Sequence, residues 1–279
     1  MSRAKITPDE FQLFKNYIYE SSGIALEKGK EYLLETRLNS LLDHYECSTF
    51  KDLYFKSKSD ISKKIEEKII DAISTNETYF FRDKAPFELL QHKILPDLID
   101  KRSKNSTLKP NLKLWSAASS TGQEIYSIAM TLHGMGISPT NYNIQLLGTD
   151  ISDAAVAQAS YGSYNKFEVS RGLDQKRIDQ YFHQENDKWR INDQIRIMVQ
   201  FKKINLMKAF SGMGKFDIIL CRNVMIYFTE EDRKRIYENI ARVLEPDGYL
   251  LIGSTESLSN TTDLFQPQRY LQSTFYQFK

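Results

Sequence analysis

The apolar residues of this chain change their spacing once, close to residue 75. From Pro8 to about Ser74 they recur at the period of an amphipathic helix. After Arg82 they form short runs that alternate with amphipathic stretches, a pattern typical of β-α-β units. The change predicts an all-helical N-terminal domain over residues 1–75. It also predicts an α/β domain over residues 76–279, built on a doubly wound, mostly parallel sheet.

Five apolar runs of the α/β domain are candidate parallel strands: residues 112–116, 144–149, 199–204, 216–221 and 249–253. Three amphipathic stretches, residues 124–135, 153–160 and 230–244, are candidate helices between them. The polar segment 101–113 predicts a solvated connection into the first strand. The alternating residues 270–278 predict an antiparallel strand that closes the sheet edge.

The alternation is interrupted between about residues 162 and 200. A helical stretch there ends at Tyr181 and Phe182, and two short β-type runs follow at residues 189–192 and 195–199. We expect a small inserted β-subdomain with antiparallel strands.

The charge of the chain is nearly balanced, with 38 basic and 36 acidic residues. This balance leaves no strong electrostatic footprint for nucleic acid or an anionic membrane. Lys28, Lys30 and Arg37 could form a basic face on the second helix, although such charges usually only solvate a surface. The polar N-terminus and the absence of an apolar run of ~20 residues predict a cytoplasmic protein without membrane insertion. Two cysteines and four scattered histidines show no metal-ligand spacing, so we expect an organic cofactor and no metal.

A small-residue turn, residues 117–124, follows the first strand candidate. Open α/β sheets bind ligands at the carboxyl ends of their strands. The turn has one glycine, Gly122, which favours a nucleoside without phosphates, such as S-adenosylmethionine, over a dinucleotide. The spacing of Thr121 and Glu124 alone favours a capping box for the next helix. Asp150 ends the following strand, where a carboxylate can accept hydrogen bonds from both ribose hydroxyls; capping of the next helix is equally open.

Arg222 and Asn223 follow the fourth strand candidate, and we expect both side chains to face the same cleft. The apolar residues after them fit an ordinary core. Tyr227 lies within that apolar run, and its hydroxyl needs a hydrogen-bond partner if the side chain is buried.

Several segments together resemble the motifs of the CheR methyltransferase family, and they occur in the family's order. They are Asn76-Glu-Thr-Tyr-Phe-Phe-Arg82, Trp115-Ser-Ala-Ala-Ser-Ser-Thr-Gly-Gln-Glu124, Asn205-Leu206 and Cys221-Arg-Asn-Val-Met-Ile-Tyr-Phe228. Residues 244–253 resemble the late strand of the family. The resemblance covers nearly the whole chain, including the helical domain and the insert.

The resemblance implies O-methylation of glutamate side chains on methyl-accepting chemotaxis receptors, with S-adenosylmethionine as donor and S-adenosylhomocysteine as product. The helical N-terminal domain would face the helical bundle of the receptor. Nine residues would surround the donor: Asn76, Thr78, Arg82, Glu124, Asp150, Asn205, Leu206, Arg222 and Asn223. Arg82 and Tyr227 would border the methyl group and are the catalytic candidates. The chain departs from the usual motif at Gln123, Ile125 and Asp247, where an acid, a proline and a glycine are common.

Each polar candidate also has a plainer interpretation by itself. Asn76 fits a helix cap, Arg82 fits an ion pair with Asp83 or another surface acid, and Asn205 fits a strand end. Their occurrence together favours the donor site.

A glutamate carboxylate, with a reference pKa of ~4.3, is ionised at neutral pH, so the predicted reaction needs no general base. The resemblance also implies methylation without docking on a receptor-tail peptide, because family members that dock on such a tail have a longer loop than segment 184–188. Nothing in the sequence demands more than a monomer. Three other functions fit the fold: a methyltransferase for nucleic acids or small molecules, a donor-binding sensor or scaffold without catalysis, and a nicotinamide-dependent oxidoreductase. The oxidoreductase is disfavoured because the phosphate-binding glycines are missing.

Overall fold

A computed structural model describes residues 4–104 and 109–279. The N-terminal part contains the helices α1 (Pro8–Ser22), α2 (Glu31–His44), α3 (Phe50–Ser59) and α4 (Lys64–Ile73). They bury an apolar cluster of their own that includes Phe14, Leu34 and Ile69. A capping box starts α1, because the Thr7 side chain accepts a hydrogen bond from the Glu10 backbone and the Glu10 carboxylate accepts one from Thr7.

The basic face on the second helix, which the sequence left undecided, is not formed. Lys28 and Lys30 precede α2, and the guanidinium of Arg37 donates hydrogen bonds to the carbonyls of Ile73 and Ser74. Arg37 therefore ties α2 to the end of α4 and is not an exposed cation of a binding surface.

The remaining chain is built on a seven-stranded sheet. Its strands are β1 (Asn111–Ala117), β2 (Asn143–Asp150), β6 (Val199–Lys203), β7 (Phe216–Cys221), β8 (Leu244–Ile252), β9 (Phe265–Tyr270) and β10 (Ser273–Phe278). The strand order is β6-β2-β1-β7-β8-β10-β9, in which the first five are parallel and β10 is antiparallel to both neighbours. The order reverses at β1, and a ligand cleft is expected at such a point.

Helices cover both faces of this sheet. They are α5 (Ala85–Leu89), α6 (Leu95–Lys104), α7 (Gln123–Gly134), α8 (Asp153–Tyr161) and α12 (Glu230–Val243), with a π turn at Leu90–Ile94 and a 3-10 turn at Met225–Tyr227. The central strand β7 is buried at every residue because two separate buried clusters pack on the two faces of the sheet.

The insert contains β3 (Ser163–Tyr164), α9 (Lys166–Ser170), α10 (Gln175–Tyr181), β4 (Phe182–Glu185), β5 (Lys188–Ile191) and α11 (Asp193–Arg196). The three strands form an antiparallel sheet in the order β3-β5-β4. The strand predicted at residues 195–199 is wrong. Ile195, Met198 and Val199 are buried at helical spacing whereas Ile197 is 71% exposed, so the run has a helical period and not a period of two. Val199 instead opens β6 of the main sheet.

Three predicted boundaries also differ from the structure. The C-terminal segment forms two strands, β9 and β10, joined by a turn at Leu271, and β8 starts earlier than predicted, at Leu244. The predicted solvated connection 101–113 is helical up to Lys104, and its residues 105–108 lie outside the described residues.

Arg102 of α6 pairs with Asp217 at 2.8 Å and with Asp247 at 3.0 Å, and the pair with Arg102 lowers the pKa of Asp247.

The helical N-terminal part lies against the carboxyl ends of the sheet strands. The Tyr19 hydroxyl donates to Asp232 at 2.8 Å, and the Ala25 amide donates to the Tyr227 carbonyl at 2.9 Å. On the other side of the cleft, Lys203 pairs with Glu67 of α4 at 2.7 Å. The N-terminal helices thus form one wall of the cleft. Within residues 4–104 and 109–279, no helix is both long enough and apolar enough to cross a membrane.

Candidate active site

A cleft of about 930 Å³, part of it open to solvent, lies between the carboxyl ends of β1, β2 and β7 and the N-terminal helices. Its lining combines apolar side chains with a few convergent polar groups, which suits a small organic ligand. All ten residues predicted from the sequence line it: Asn76, Thr78, Arg82, Glu124, Asp150, Asn205, Leu206, Arg222, Asn223 and Tyr227. The structure therefore brings together residues that are up to 151 positions apart in the chain.

The turn between β1 and α7 runs close to the cleft in an unusual backbone conformation. Ala118, Ser120 and Gly122 have positive φ angles of 57°, 51° and 94°. A Cβ atom on Gly122 would lie 2.9 Å from the Cβ of Ala159, so only glycine fits there. The two non-glycine residues are strained, and such strain is concentrated at functional sites.

The capping box favoured by the spacing of Thr121 and Glu124 is not formed. α7 starts at Gln123, after Gly122 in the N-cap position, which has no side chain to cap the helix. The Thr121 hydroxyl donates to the side chain of Gln123 at 2.8 Å. The carboxylate of Glu124 accepts instead from the Ser116 hydroxyl at 2.8 Å and from Arg222 at 2.7 Å. Glu124 is therefore part of the cleft and not of a helix cap.

Asp150 ends β2 at the bottom of the cleft and is buried. Its carboxylate accepts hydrogen bonds from the backbone amides of Ser120 at 2.9 Å and Ser152 at 3.0 Å. Burial raises the pKa of Asp150, and these backbone hydrogen bonds offset part of the rise. The cap of α8 is Ser152, so Asp150 does not itself cap the helix and contributes only by accepting from the Ser152 amide. Each carboxylate oxygen keeps a lone pair for a hydroxyl of a ligand.

Arg222 joins two carboxylates beneath the cleft. Its side chain is 1% exposed and pairs with Glu124 at 2.7 Å and with Asp83 at 2.7 Å, and it also donates to the Arg82 carbonyl at 3.1 Å. Its own two partners balance the charge of this guanidinium, and the lining of the cleft contains a further carboxylate, that of Asp150. The interior of the cleft therefore favours a positively charged ligand.

Arg82 and Tyr227 lie at the cleft with their functional groups free of acidic partners. The Arg82 guanidinium donates to the Glu77 carbonyl at 3.0 Å and does not pair with Asp83, which is bound by Arg222. The plainer interpretation of Arg82 as the partner of Asp83 is therefore wrong. Tyr227 is half-buried, and its hydroxyl contacts no hydrogen-bond partner within the described part of the chain. Because the Tyr227 side chain is only half-buried, its hydroxyl does not need a hydrogen-bond partner within the protein.

The other predicted residues connect the walls of the cleft. Asn76 lies in a loop after α4, where its carbonyl accepts from the Ser120 hydroxyl at 3.0 Å, so it caps no helix. Asn205 lies beyond the end of β6; its side-chain amide donates to the Ser21 carbonyl at 3.0 Å and its oxygen accepts from the Met207 amide at 2.9 Å. Asn205 therefore contacts the N-terminal helices and does more than end a strand.

Asp83 and Glu256 contribute to the site but were missed from the sequence. Asp83 was considered only as a partner of Arg82. Glu256 accepts three backbone hydrogen bonds, from Gly253 at 2.7 Å, Asn223 at 3.0 Å and Met225 at 3.2 Å. Asn223 has a positive φ of 56°, so Glu256 holds a strained loop in place. The position of Glu256 just after β8, at the carboxyl edge of the sheet, is the signal that could have identified it.

The comparisons with known proteins agree on one family. Residues 76–272 match the model described as CheR methyltransferase, SAM binding domain, and residues 9–74 match CheR methyltransferase, all-alpha domain. The chain belongs to the CheR methyltransferase family. It is 33% identical to chemotaxis protein methyltransferase Cher2 of Pseudomonas putida, over 97% of this chain and 98% of that one. It is 38% identical to the chemotaxis protein methyltransferase of Borreliella burgdorferi, over 93% and 92%.

A TehB-like SAM-dependent methyltransferase from Corynebacterium glutamicum is a solved structure similar to this chain. It is 14% identical with a TM-score of 0.38, and the match covers 66% of this chain and 86% of that one.

The family match confirms the predicted resemblance, fold class and methyl donor, S-adenosylmethionine. The cleft fits this cofactor on observations of its own. Its carboxylates suit the positive sulfonium, and Asp150 has free acceptor capacity for a ribose. The buried hydroxyl of Ser119 also lines the cleft without a hydrogen-bond partner among the residues described, so a polar ligand can satisfy it. Nothing in the comparisons supports the sensor or scaffold alternative.

Proposed function

We propose that this protein transfers a methyl group from S-adenosylmethionine to glutamate side chains of methyl-accepting chemotaxis receptors in the cytoplasm. The arrangement of charge in the cleft is the observation that carries this proposal. Two carboxylates, Glu124 and Asp83, pair with one buried guanidinium, and Asp150 adds a further carboxylate to the lining. Arg82, by contrast, lies on the wall of the cleft with no carboxylate partner in the described chain. A cationic donor and an anionic acceptor are attracted to different parts of such a cleft.

The bound donor supplies a methyl group on a sulfonium, and transfer to a carboxylate oxygen gives a methyl ester and S-adenosylhomocysteine. The acceptor carboxylate is ionised at neutral pH, so no residue has to remove a proton. Accordingly, the described residues that line the cleft include neither histidine nor cysteine. Because the reaction neutralises two opposite charges, tight stabilisation of both ions would slow it. Positioning therefore supplies most of the acceleration.

We assign the residues that line the cleft to two tasks. Asp150 accepts hydrogen bonds from the ribose hydroxyls, and the remaining donor-binding side chains enclose the rest of the donor: Asn76, Thr78, Glu124, Asn205, Leu206, Arg222 and Asn223. Arg82 contacts the donor and orients the acceptor carboxylate, and the free hydroxyl of Tyr227 fixes the geometry of donor or acceptor. The interior ion pairs keep Arg222 from competing with Arg82 for the substrate, because both ends of its guanidinium are occupied.

We also assign residues 1–75 to the domain that faces the receptor, and residues 76–279, with the insert at about 162–200, to the methyltransferase domain. Ser22 and Ile24 of the N-terminal part line the cleft, so a receptor helix entering it would touch both parts. The hairpin of β4 and β5 turns in two residues, Asn186 and Asp187, which offers little surface for a receptor-tail peptide. We therefore propose that the enzyme acts as a monomer and without such a peptide, and tight binding of a tail peptide in calorimetry would refute this part.

The product ester removes one negative charge from the receptor. In a helical bundle with neighbouring acidic residues, this loss reduces repulsion and shifts the signalling equilibrium. Sensory adaptation is the expected biological outcome.

The experiment is to map methyl groups by mass spectrometry on receptors incubated with the enzyme and donor. Methyl esters on glutamates, absent when those glutamates are replaced by glutamine, are the expected result. Arg82→Ala should lower turnover at saturating donor, whereas Arg235→Ala, which removes a partly exposed arginine of a surface ion pair, should not. An Arg82→Ala enzyme with unchanged turnover would contradict the role of Arg82. Donor binding without any receptor methylation would contradict the proposed function.

A further inference from the structure

A second arginine lies beside Arg82 at the donor-binding loop, residues 76–82. Arg171, at the end of α9 in the insert, pairs with the Glu77 carboxylate at 2.9 Å and lies 4.2 Å from the centre of the Tyr79 ring. The Arg82 guanidinium lies 5.7 Å from the centre of the same ring. Two guanidinium groups therefore lie near the ring of Tyr79, and the negative face of the ring attracts each of them.

The backbone of the insert fixes this arrangement. Gly172, directly after Arg171, has a φ of 96°, and a Cβ atom there would lie 1.8 Å from the carbonyl oxygen of Phe80. The turn of the insert therefore packs directly on the donor-binding loop. Arg171 is held next to the loop by this contact as well as by its own ion pair.

Arg171 can exchange its present partner. Its side chain is 38% exposed and that of Glu77 is 65% exposed, and an ion pair this open to solvent is weak. A carboxylate from a substrate could therefore replace Glu77 at little cost. Arg222 cannot bind a substrate carboxylate in this way, because its side chain is buried between two carboxylates of the protein.

We propose that Arg171 binds a second acidic side chain of the substrate helix, one helical turn away from the glutamate that is methylated, and that Glu77 occupies Arg171 until substrate binds. This inference rests on the proposed function, in which Arg82 orients the reacting carboxylate. Residues three or four apart on a helix have neighbouring side chains, a spacing that two guanidiniums on one ring can match. The enzyme would then prefer glutamates with an acidic neighbour one turn away.

The test compares Arg171→Gln and Glu77→Gln with the unchanged enzyme, measuring KM for receptor, kcat and donor affinity separately. Arg171→Gln should raise the receptor KM about tenfold, the loss expected for one charge-assisted hydrogen bond. Glu77→Gln should lower the receptor KM, because Glu77 then no longer competes with the substrate carboxylate for Arg171. Donor affinity should stay the same in both. Arg177→Gln is the matched control: Arg177 is also in the insert, stacks 4.3 Å from the centre of the Phe81 ring and pairs with Asp174, which does not line the cleft, whereas Glu77, the partner of Arg171, does.

A receptor in which the neighbouring acid is changed to glutamine completes a double-mutant cycle with Arg171→Gln. The effects of the two changes on the receptor KM should not be additive, because each change removes the same contact. If both enzyme variants weaken donor binding and leave the receptor KM unchanged, Arg171 only positions the donor-binding loop and the inference is wrong. If the unchanged enzyme methylates no receptor glutamate, both the proposed function and this inference are wrong. If it methylates the receptor normally and Arg171→Gln has the same receptor KM, only this inference is wrong.

Discussion

Replacing Arg222 by methionine should destabilise the protein strongly. The side chain of Arg222 is 1% exposed and makes two charge-assisted contacts of 2.7 Å, to Glu124 and Asp83. The substitution keeps a long apolar side chain but leaves the Glu124 carboxylate nearly buried without its cation. Removing one partner of a buried ion pair costs ~3–5 kcal/mol. Because Asp83 is partly exposed and can be hydrated once its partner is removed, we expect a loss at the lower end of this range, about 3 kcal/mol.

Urea denaturation followed by circular dichroism measures this loss directly, and the midpoint of thermal unfolding should fall by roughly 6–12 °C for a protein of this size. Arg235→Met is the control, because Arg235 is 53% exposed and its pair with Glu231 at 3.6 Å should be worth under about 1 kcal/mol. Adding Glu124→Gln to Arg222→Met should recover part of the stability by removing the unpaired charge. If Arg222→Met costs no more than the control, Arg222 does not hold the floor of the cleft as described.

Two further predictions concern the donor and the packing beneath it. Asp150→Asn should weaken donor binding in calorimetry by about 10–100-fold, since hydrogen bonds to charged groups are worth ~1.5–3 kcal/mol. The raised pKa of Asp150 means that its ionised form costs stability at neutral pH. This cost decreases as the pH falls below the raised value and is gone below the pKa of the unfolded chain. Donor affinity of the unchanged enzyme should therefore decline on acidification at a pH above the ~3.9 of free aspartate, and Asp150→Asn should flatten that decline. Gly148→Ala should cost about 1–3 kcal/mol in urea denaturation, because its Cβ would lie 2.6 Å from the Phe201 ring; an unchanged midpoint would show that the ring can move.

The fold was largely predictable because burial on both faces leaves a clear pattern. A strand such as β7, buried at every residue, is apolar at every position except Asp217 and is easy to recognise. The segment 195–199 was misassigned because a short run of apolar residues fits both periods. Only the tertiary structure decides between them, by leaving Ile197 exposed and burying Met198.

The positions of the site residues were predictable, but their partners were not. The carboxyl ends of neighbouring parallel strands must meet, so residues after them could be placed in one cleft from sequence alone. The pair of Arg222 and Asp83 depends on a backbone with a positive φ of 66° at Asp83, which sequence patterns do not reveal. The Thr121 and Glu124 spacing fits a helix cap, but Arg222 and Ser116 offered the carboxylate stronger partners.

The central claim is that the cleft transfers methyl groups to carboxylates. Its most direct test is to incubate the enzyme with receptor-containing membranes and S-adenosylmethionine carrying a tritiated methyl group, and then to treat the washed membranes with base. Methyl esters release volatile radioactive methanol, and this release is the predicted result. Label that stays on the protein in base, or no label although the donor binds, would contradict the claim.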